Sequence, residues 1–157
     1  MPLTVRRLGP GDEPVLTLLA AEAPEFDVAG RTAVERPLKP EDAARYLAEP
    51  TVLHWVGEED GRVVGELLCH SLLLPSESGR ELLLYSIGVR ESHRRRGVGR
   101  VLLDEMLGWA RAERIPEIWV LADNPSAEAF YSACGFVRGG ENDQGVLMTL
   151  AASVEPA

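Results

Sequence analysis

The feature that most constrains the fold is a strand–helix–strand pattern between Leu82 and Ala122. The run Leu82–Val89 is largely apolar, which predicts a strand buried on both faces. From Val98 to about Glu113, apolar residues recur at spacings of three and four, the period of an amphipathic helix. Ile118–Ala122 is a further apolar strand. Two strands joined by a helix pair in parallel, so the chain requires a sheet with a helix on its face.

The remaining segments add strands and helices around this unit. An Asp60-Gly61 pair between two apolar runs predicts a hairpin. We expect the order strand, helix, helix, about four strands, helix, strand, helix, strand, with an irregular connection over residues 23–39. The predicted strands are Thr4–Leu8, Val52–Val56, Val63–Leu74, Leu82–Val89, Ile118–Ala122 and Val146–Leu150. The predicted helices begin at caps Asp12 and Asn124, at Glu41 and at Val98.

Length and composition indicate one globular domain. A chain of 157 residues with 45% apolar content is within the size range of a single domain, and we assign residues 1–157 to it, with 151–157 as a loose tail. No apolar stretch approaches the roughly 20 residues of a membrane span, and the first residues do not resemble a signal peptide. We therefore expect a cytoplasmic protein without a membrane partner. Cys69 and Cys134 have neither zinc-ligand spacing nor a disulfide pattern, so we expect no metal.

The charge distribution is uneven. The net charge of −9 argues against a general nucleic-acid binder, and we expect no nucleic-acid partner. The segment Arg90–Arg100 nevertheless holds five arginines and one acid, Glu91. An acidic surface can favour a cationic partner, although solubility is the ordinary explanation of such a charge.

The basic segment coincides with the start of the helix at Val98. A helix start leaves backbone N–H groups without partners, and an Asn, Asp, Ser or Thr side chain usually accepts from them. Gly97 stands there instead, and positive charges gather at the positive end of the helix dipole. A bound anion would account for both features, because Gly97 and Gly99 permit close approach of amides to phosphate oxygens. A solvated basic turn is the alternative. The P-loop pattern is absent, and the dinucleotide pattern would need glycine at Leu102.

Two motifs in the same order and separation resemble the GNAT N-acetyltransferase superfamily. Arg94-x-x-Gly97-x-Gly99 after a buried strand is similar to its acetyl-CoA signature. The later pattern is similar to the superfamily's N-x-x-A-x-x-x-Y-x-x-x-G-F, and in this chain it comprises Asn124, Ala127, Phe130-Tyr131 and Gly135-Phe136. The resemblance implies an α/β (α+β) fold with a mixed, mostly antiparallel central sheet flanked by helices. One parallel strand–helix–strand unit would carry the cofactor loop.

The resemblance also implies where acetyl-CoA would bind. Its pyrophosphate would be held by amides and side chains of the loop: Arg94, Arg95, Arg96, Gly97, Val98, Gly99 and Arg100. Its pantetheine arm would lie between two splayed parallel strands and bond to backbone at Ile87 and Val89, on either side of Gly88. Asn124 would contact the cofactor by its side chain, although a plain helix cap is a comparable interpretation.

Direct transfer to an amine needs a base for the acceptor ammonium and an acid for the departing thiolate. Tyr131 matches the family's acid position, whereas its place on an apolar helix face also suits a core tyrosine. The same match to the family pattern implies that Tyr131 would lie beside the cofactor. Our candidate bases are Glu81, Glu66, His70 and Ser86, with a water chain as the alternative.

The acceptor is less defined than the donor. We expect a primary amine of a small molecule, and part of the chain resembles aminoglycoside 3-N-acetyltransferases of the GNAT type: Arg7-Leu8-Gly9-Pro10, Glu25-Phe26-Asp27, Tyr85, Ile87-Gly88-Val89, His93-Arg94-Arg95 and Ala122-Asp123. Ser86 stands where we expect aspartate in that group, and Leu147–Leu150 lacks acidic character. A protein N-terminus or lysine as acceptor, an acyl-CoA sensor without turnover, and a nucleic-acid contact through the arginine loop are the alternatives. A homodimer is left open.

Overall fold

The structure, a computed structural model, describes residues 2–27, 33–77, 79–142 and 145–152. In chain order the elements are β1 (Thr4–Arg7), α1 (Glu13–Ala21), α2 (Ala23–Phe26), α3 (Pro40–Ala48), β2 (Val52–Glu59), β3 (Arg62–Leu73), β4 (Arg80–Val89), a 3-10 turn (Glu91–His93), α4 (Val98–Ala112), β5 (Glu117–Ala122), α5 (Pro125–Ala133), β6 (Val137–Asn142) and β7 (Gly145–Ala151).

The strands form one mixed sheet, flanked by helices, in the order β1-β2-β3-β4-β5-β7-β6. The pair β4–β5 is parallel, with Leu82 opposite Ile118 and Leu83 opposite Trp119. The pairs β1–β2, β5–β7 and β6–β7 are antiparallel. The predicted mixed sheet with one parallel strand–helix–strand unit is therefore confirmed.

Four local predictions are wrong. The stretch expected to be irregular begins with the short helix α2, and three strands, not about four, lie between α3 and α4. Strand β6 was not expected, because its sequence VRGGEN has no apolar alternation, and a bulge interrupts its pairing between Arg138 and Glu141. The predicted tail starts too early, since Ala151 ends β7 and Ala152 is buried with its N–H bonded to the Pro116 carbonyl at 2.9 Å. Residues 153–157 of that tail lie outside the described residues.

The predicted hairpin turn at Asp60-Gly61 is confirmed, whereas the predicted helix cap at Asp12 is wrong. Asp60 and Gly61 both have positive φ, 53° and 75°, as a two-residue hairpin of the predicted kind requires. Asp12 does not cap α1 with its side chain. Its carboxylate instead accepts from the Gly9 N–H at 2.8 Å and pairs with Arg6 at 3.0 Å.

The chain divides into two compact units, and β3, β4 and α4 each have residues in both. The first unit comprises Met1–Leu68 and Ser86–Leu102, and the second comprises Cys69–Tyr85 and Leu103–Ala157. Assignment of the whole chain to a single domain stays a prediction.

The first unit buries side chains from α1, α2 and α3 with strand residues. This cluster consists of Leu8, Leu19, Phe26, Leu47, Val56 and Val63. Burying each large apolar side chain stabilises the fold by about 1.5–3 kcal/mol. The first turn of α4 packs closely on β3, because a Cβ added at Gly65 would lie 2.7 Å from Val98 Cγ1.

The second unit buries the rest of α4 with β5 and β7. Met106, Ile118 and Met148 are fully buried there. The thiol of Cys69 donates to Met106 Sδ at 3.5 Å, and burial raises the pKa of that thiol. Helix α4 therefore shares this part of the core with β5, one strand of the parallel pair β4–β5.

Candidate functional site

The end of β4 brings backbone into a confined space. Gly88 is buried, and a Cβ added to it would lie 2.8 Å from the Phe26 carbonyl oxygen. Only glycine permits this approach of β4 to α2. Ile87 and Val89 flank it as half-buried residues. Gly88 and the two residues predicted to bond to the pantetheine arm thus lie together in the first unit.

The loop between β4 and α4 has an unusual backbone. Arg95 has φ of 62° and Gly97 has φ of 80°, so the chain enters the left-handed region twice within three residues. For a non-glycine residue this conformation costs roughly 1–2 kcal/mol. Backbone of alternating hand turns successive N–H groups into a concave anion site, and strain of this kind accumulates at functional loops. The Gly97 carbonyl accepts from Val101 N–H at 3.1 Å, which makes the glycine the first residue of α4's hydrogen-bond pattern.

The arginines of the loop have different environments. Arg95, Arg96 and Arg100 are exposed, and their positive charges are placed at the N-terminus of α4. Arg94 is half-buried and donates to two backbone carbonyls, Val89 at 3.1 Å and Glu25 at 3.3 Å. The side chains of the first three are accessible to solvent, whereas Arg94 fixes the loop to its surroundings.

Asn124 and Tyr131 lie in the second unit. Asn124 caps α5, since its Oδ1 accepts from the Ala127 N–H at 2.8 Å while its amide nitrogen donates to the Asp123 carboxylate at 2.9 Å. The cap interpretation is therefore confirmed, and its contact with a cofactor stays a prediction. Val98 and Gly99 complete the predicted cofactor set as buried residues at the start of α4, in the first unit.

Tyr131 is a buried phenol. Its side chain is 5% exposed, and its ring packs 5.3 Å from the Phe136 ring. Burial raises the pKa of the phenol, with smaller contributions from Cys69 and Asp123. A raised pKa keeps the hydroxyl protonated at neutral pH, as a proton donor requires.

The four candidate bases lie in different settings. Glu66 accepts from His54 Nε2 at 2.8 Å, and Tyr46 Oη lies 2.9 Å from His54 Nδ1. His70 packs edge-on against Tyr85 with ring centroids 5.6 Å apart. Glu81 and Ser86 are half-buried residues of β4, the first in the second unit and the second in the first. The role of Glu81 as base stays a prediction.

Arg90 is the residue whose role the sequence concealed. It was counted with the basic segment, but it is 1% exposed and bonded to Glu22, Glu25 and the Val63 carbonyl. Its position immediately after an apolar strand was the available signal, since a charge there must be paired within the fold.

The described residues contain no group of three or more His, Cys, Asp or Glu placed to hold a metal ion. No helix in the same part of the chain is long and apolar enough to cross a membrane.

Comparison with known proteins identifies the family. The model of the acetyltransferase (GNAT) family matches residues 16–136, a span that contains both motifs. The chain therefore belongs to the acetyltransferase (GNAT) family, a class of acyltransferases.

Among curated relatives, a mycothiol acetyltransferase of Clavibacter sepedonicus is 35% identical over 108 residues, which is 69% of this chain and 31% of the relative. Human N-acetyltransferase 8 is 31% identical over 101 residues, 62% of this chain and 44% of the relative. The chain thus spans about a third to a half of the length of these proteins.

Solved structures cover more of the chain. An aminoglycoside acetyltransferase from an uncultured soil metagenomic sample has a TM-score of 0.78 and 26% identity, covering 86% of this chain and 91% of that one. The PaiA N-acetyltransferase of Thermoplasma acidophilum, solved with coenzyme A, has a TM-score of 0.70 and 16% identity, covering 96% and 99%. The second likeness supports the fold alone.

Proposed function

We propose that this protein transfers the acetyl group of acetyl-CoA directly to a primary amine of a small molecule. The observation that carries the proposal is the left-handed backbone at Arg95 and Gly97, directly before helix α4, in a chain of the GNAT family. Exposed arginines lie at a helix start where the preceding residue, Gly97, has no side chain that could accept from the amides. A pyrophosphate fits this arrangement in charge and in hydrogen bonding.

In this proposal the first unit holds the donor. The amides from Arg95 to Arg100 bind the pyrophosphate, and the backbone of Ile87 and Val89 aligns the pantetheine arm. Acetyl-CoA supplies the thioester carbonyl. Gly88 contributes by having no side chain, because its Cα lies against Phe26.

The chemistry needs three proton transfers. Glu81, directly or through water, takes a proton from the acceptor ammonium, and the neutral nitrogen then attacks the thioester carbon. A carbon–nitrogen bond forms and the carbon–sulfur bond breaks. Tyr131, whose phenol is kept neutral by burial, gives its hydroxyl proton to the departing thiolate. The excess proton on the acetylated nitrogen then returns to the Tyr131 oxygen, directly or through water, which leaves a neutral amide and a neutral phenol. Of the other candidates, Glu66 is engaged by His54, which makes it a less available base.

The small-molecule acceptor is favoured over a macromolecule by the likeness to an aminoglycoside acetyltransferase at 26% identity. An aminoglycoside is a special case of this proposal. Ser86 supplies no carboxylate, and Glu25 is paired with Arg90, so neither offers a free negative charge to a polycationic drug. We further propose that the protein acts in the cytoplasm.

Release of the CoA thiol across a panel of amines tests the proposal. The panel contains a polyamine, a simple alkylamine, an aminoglycoside, a peptide with a free N-terminus and a lysine peptide. Release with a small amine, in the presence of wild-type protein only, supports it. Binding of acetyl-CoA without release for any amine would instead favour an acyl-CoA sensor, and release with peptides alone would favour a protein acceptor.

A further inference from the structure

Arg90 is a buried cation outside the predicted cofactor set. It follows β4 directly and is 1% exposed, although it belongs to a segment whose other arginines are half-buried or exposed. A buried guanidinium is retained only where its N–H groups and its charge are both satisfied. The partners of Arg90 therefore indicate what it holds together.

Those partners come from two segments of the first unit. Arg90 Nε donates to the Val63 carbonyl at 2.9 Å, and Nη1 donates to Glu25 Oε2 at 2.9 Å. Nη2 lies 3.4 Å from Glu22 Oε2, and the guanidinium stands 4.7 Å from the centre of the Phe26 ring. We name Arg90 with Glu22, Glu25 and Phe26 the Arg90 clamp.

The clamp connects α2 to the cofactor loop through two further contacts. Phe26 lies against Gly88, where a Cβ would be 2.9 Å from the Phe26 Cβ. The Glu25 carbonyl accepts from Arg94 Nη2 at 3.3 Å. The residue that anchors the loop is thus bonded to the same glutamate whose side chain Arg90 holds.

We propose that Arg90 is a positioning residue for the acetyl-CoA loop. By holding Glu25 and Phe26, it keeps α2 against Gly88 and presents the Glu25 carbonyl to Arg94, which fixes the approach of the loop to α4. The inference rests on the proposed function, because the loop matters only if it binds acetyl-CoA. It assigns Arg90 no contact with the cofactor itself.

The exposure of the two carboxylates indicates that Arg90 contributes mainly to the position of α2 and less to the stability of the fold. The side chains of Glu22 and Glu25 are 33% and 48% exposed, so both can be hydrated when Arg90 is absent. Removing one partner of a buried ion pair is strongly destabilising where it leaves the other charge buried, whereas solvent reaches both of these carboxylates. Arg90→Met retains an apolar stem and removes every polar contact of the side chain, together with the guanidinium that stands over Phe26. Arg90→Lys keeps the charge, but one ammonium cannot reproduce the planar fork.

The test compares Arg90→Met with Arg6→Met in the full chain. Arg6 also bridges two carboxylates in the first unit, Asp12 and Glu58, but at the surface. We expect Arg90→Met to weaken acetyl-CoA and CoA binding by about 10-fold to 100-fold in calorimetry, as a displaced binding element does. Arg90→Lys does not restore it, and Arg6→Met leaves it unchanged. Affinity within twofold of wild type for folded Arg90→Met overturns the inference.

A double-mutant cycle tests the route. If Arg90 acts through the Glu25 carbonyl and Arg94, then Arg90→Met in an Arg94→Met background weakens binding much less than in wild type. Equal effects in both backgrounds overturn the positioning role. Should Arg90→Met fail to fold, Glu25→Gln provides the test. The half-exposed amide weakens the contact with Arg90, which keeps Glu22 and the Val63 carbonyl as partners. Unchanged acetyl-CoA affinity in Glu25→Gln overturns the inference. Wild-type protein that does not bind acetyl-CoA at all would overturn the proposed function instead.

Discussion

The N-termini of α4 and α5 differ in how their backbone N–H groups are satisfied. Helix α5 begins at Pro125 with a complete cap, since Asn124 accepts from Ala127 at 2.8 Å. Helix α4 begins after Gly97, which has no side chain, and it is surrounded by exposed arginines. A side chain accepts from the backbone at the start of α5, whereas Gly97 offers no such acceptor at the start of α4, where the positive charge suits an anion. The comparison favours the start of α4 as the anion site in the proposed function.

The largest expected effect comes from putting a negative charge at the start of α4. Gly99→Glu sets a carboxylate against the pyrophosphate, and like charges in contact cost several kcal/mol, so acetyl-CoA affinity should fall at least about 100-fold. Gly108→Glu adds the same residue to an exposed, open position of the same helix and should leave affinity unchanged. Calorimetry measures both.

Gly99 is buried, so thermal unfolding must accompany that measurement. Arg96→Glu also adds a negative charge to the loop, but at an exposed position. This variant should bind acetyl-CoA more weakly while its thermal unfolding stays close to that of wild type. Undiminished affinity in Arg96→Glu and in folded Gly99→Glu would remove the anion site from α4.

The next largest effect concerns Tyr131. In the proposed function, helix α5 takes part in catalysis through this side chain and not through its N-terminus. Tyr131→Phe should lower kcat by about 100-fold or more, the usual contribution of a general acid, and leave acetyl-CoA affinity intact. Tyr85→Phe removes a hydroxyl from an exposed tyrosine of the same unit and controls for the chemical change. Steady-state rates with the best amine of the panel provide the measurement.

The pH dependence checks the same role. Burial raises the pKa of Tyr131, so the phenol stays protonated beyond its ordinary pKa of about 10. The stability that the neutral phenol contributes is complete below pH 10 and is lost as the pH rises further. We expect no decline of kcat attributable to Tyr131 up to about pH 10. A decline at lower pH that disappears in Tyr131→Phe would count against it as the acid.

A smaller effect separates strain from charge in the loop. Arg95 and Arg114 both have positive φ, 62° and 57°, and both are exposed. Glycine relieves this strain but adds chain entropy to the unfolded state, so each Arg→Gly variant should gain up to about 1 kcal/mol of unfolding free energy. Arg95→Gly alone should also bind acetyl-CoA about 10-fold more weakly, because one charged donor is lost. Urea unfolding and calorimetry would show whether the two effects separate.

The smallest effect tests whether α5 needs its cap only for stability. Asn124→Ala should lower the free energy of unfolding by about 1 kcal/mol, as loss of an N-cap does. If the cap is its whole role, acetyl-CoA affinity stays at the wild-type value. Affinity that falls tenfold in Asn124→Ala, but not in the similarly destabilised Asp12→Ala, would give Asn124 a contact with the cofactor.

Much of this fold could be predicted from periodicity and turn residues. The apolar period from Val98 predicted α4, and Asp60-Gly61 predicted a hairpin whose φ angles are those required. Strand β6 could not be predicted, because its glycines and charges carry no alternation and its pairing with β7 provides the structure. Asp12 has the right residue type for a cap, but its carboxylate is used by Gly9 and Arg6.

The candidate site was predicted unevenly for a related reason. Spacing identified the glycines and arginines of the loop, and the left-handed φ of Gly97 agrees with that choice. Spacing could not distinguish Arg90 from Arg94, since both are arginines of one basic segment. Only tertiary contacts show that Arg90 is buried with Glu22 and Glu25. Burial of a charge depends on what lies opposite it in space, which one sequence does not specify.

The most direct test of the account compares two donors that differ only beyond the pantetheine arm. Acetyl-CoA carries the pyrophosphate and S-acetylpantetheine does not, and both are titrated into wild type and Arg96→Glu. If the loop binds the pyrophosphate, Arg96→Glu weakens acetyl-CoA by about 10-fold or more and leaves S-acetylpantetheine unchanged. An equal loss for both donors, or no loss for either, would contradict the assignment of the loop from Arg95 to Arg100 as the pyrophosphate site.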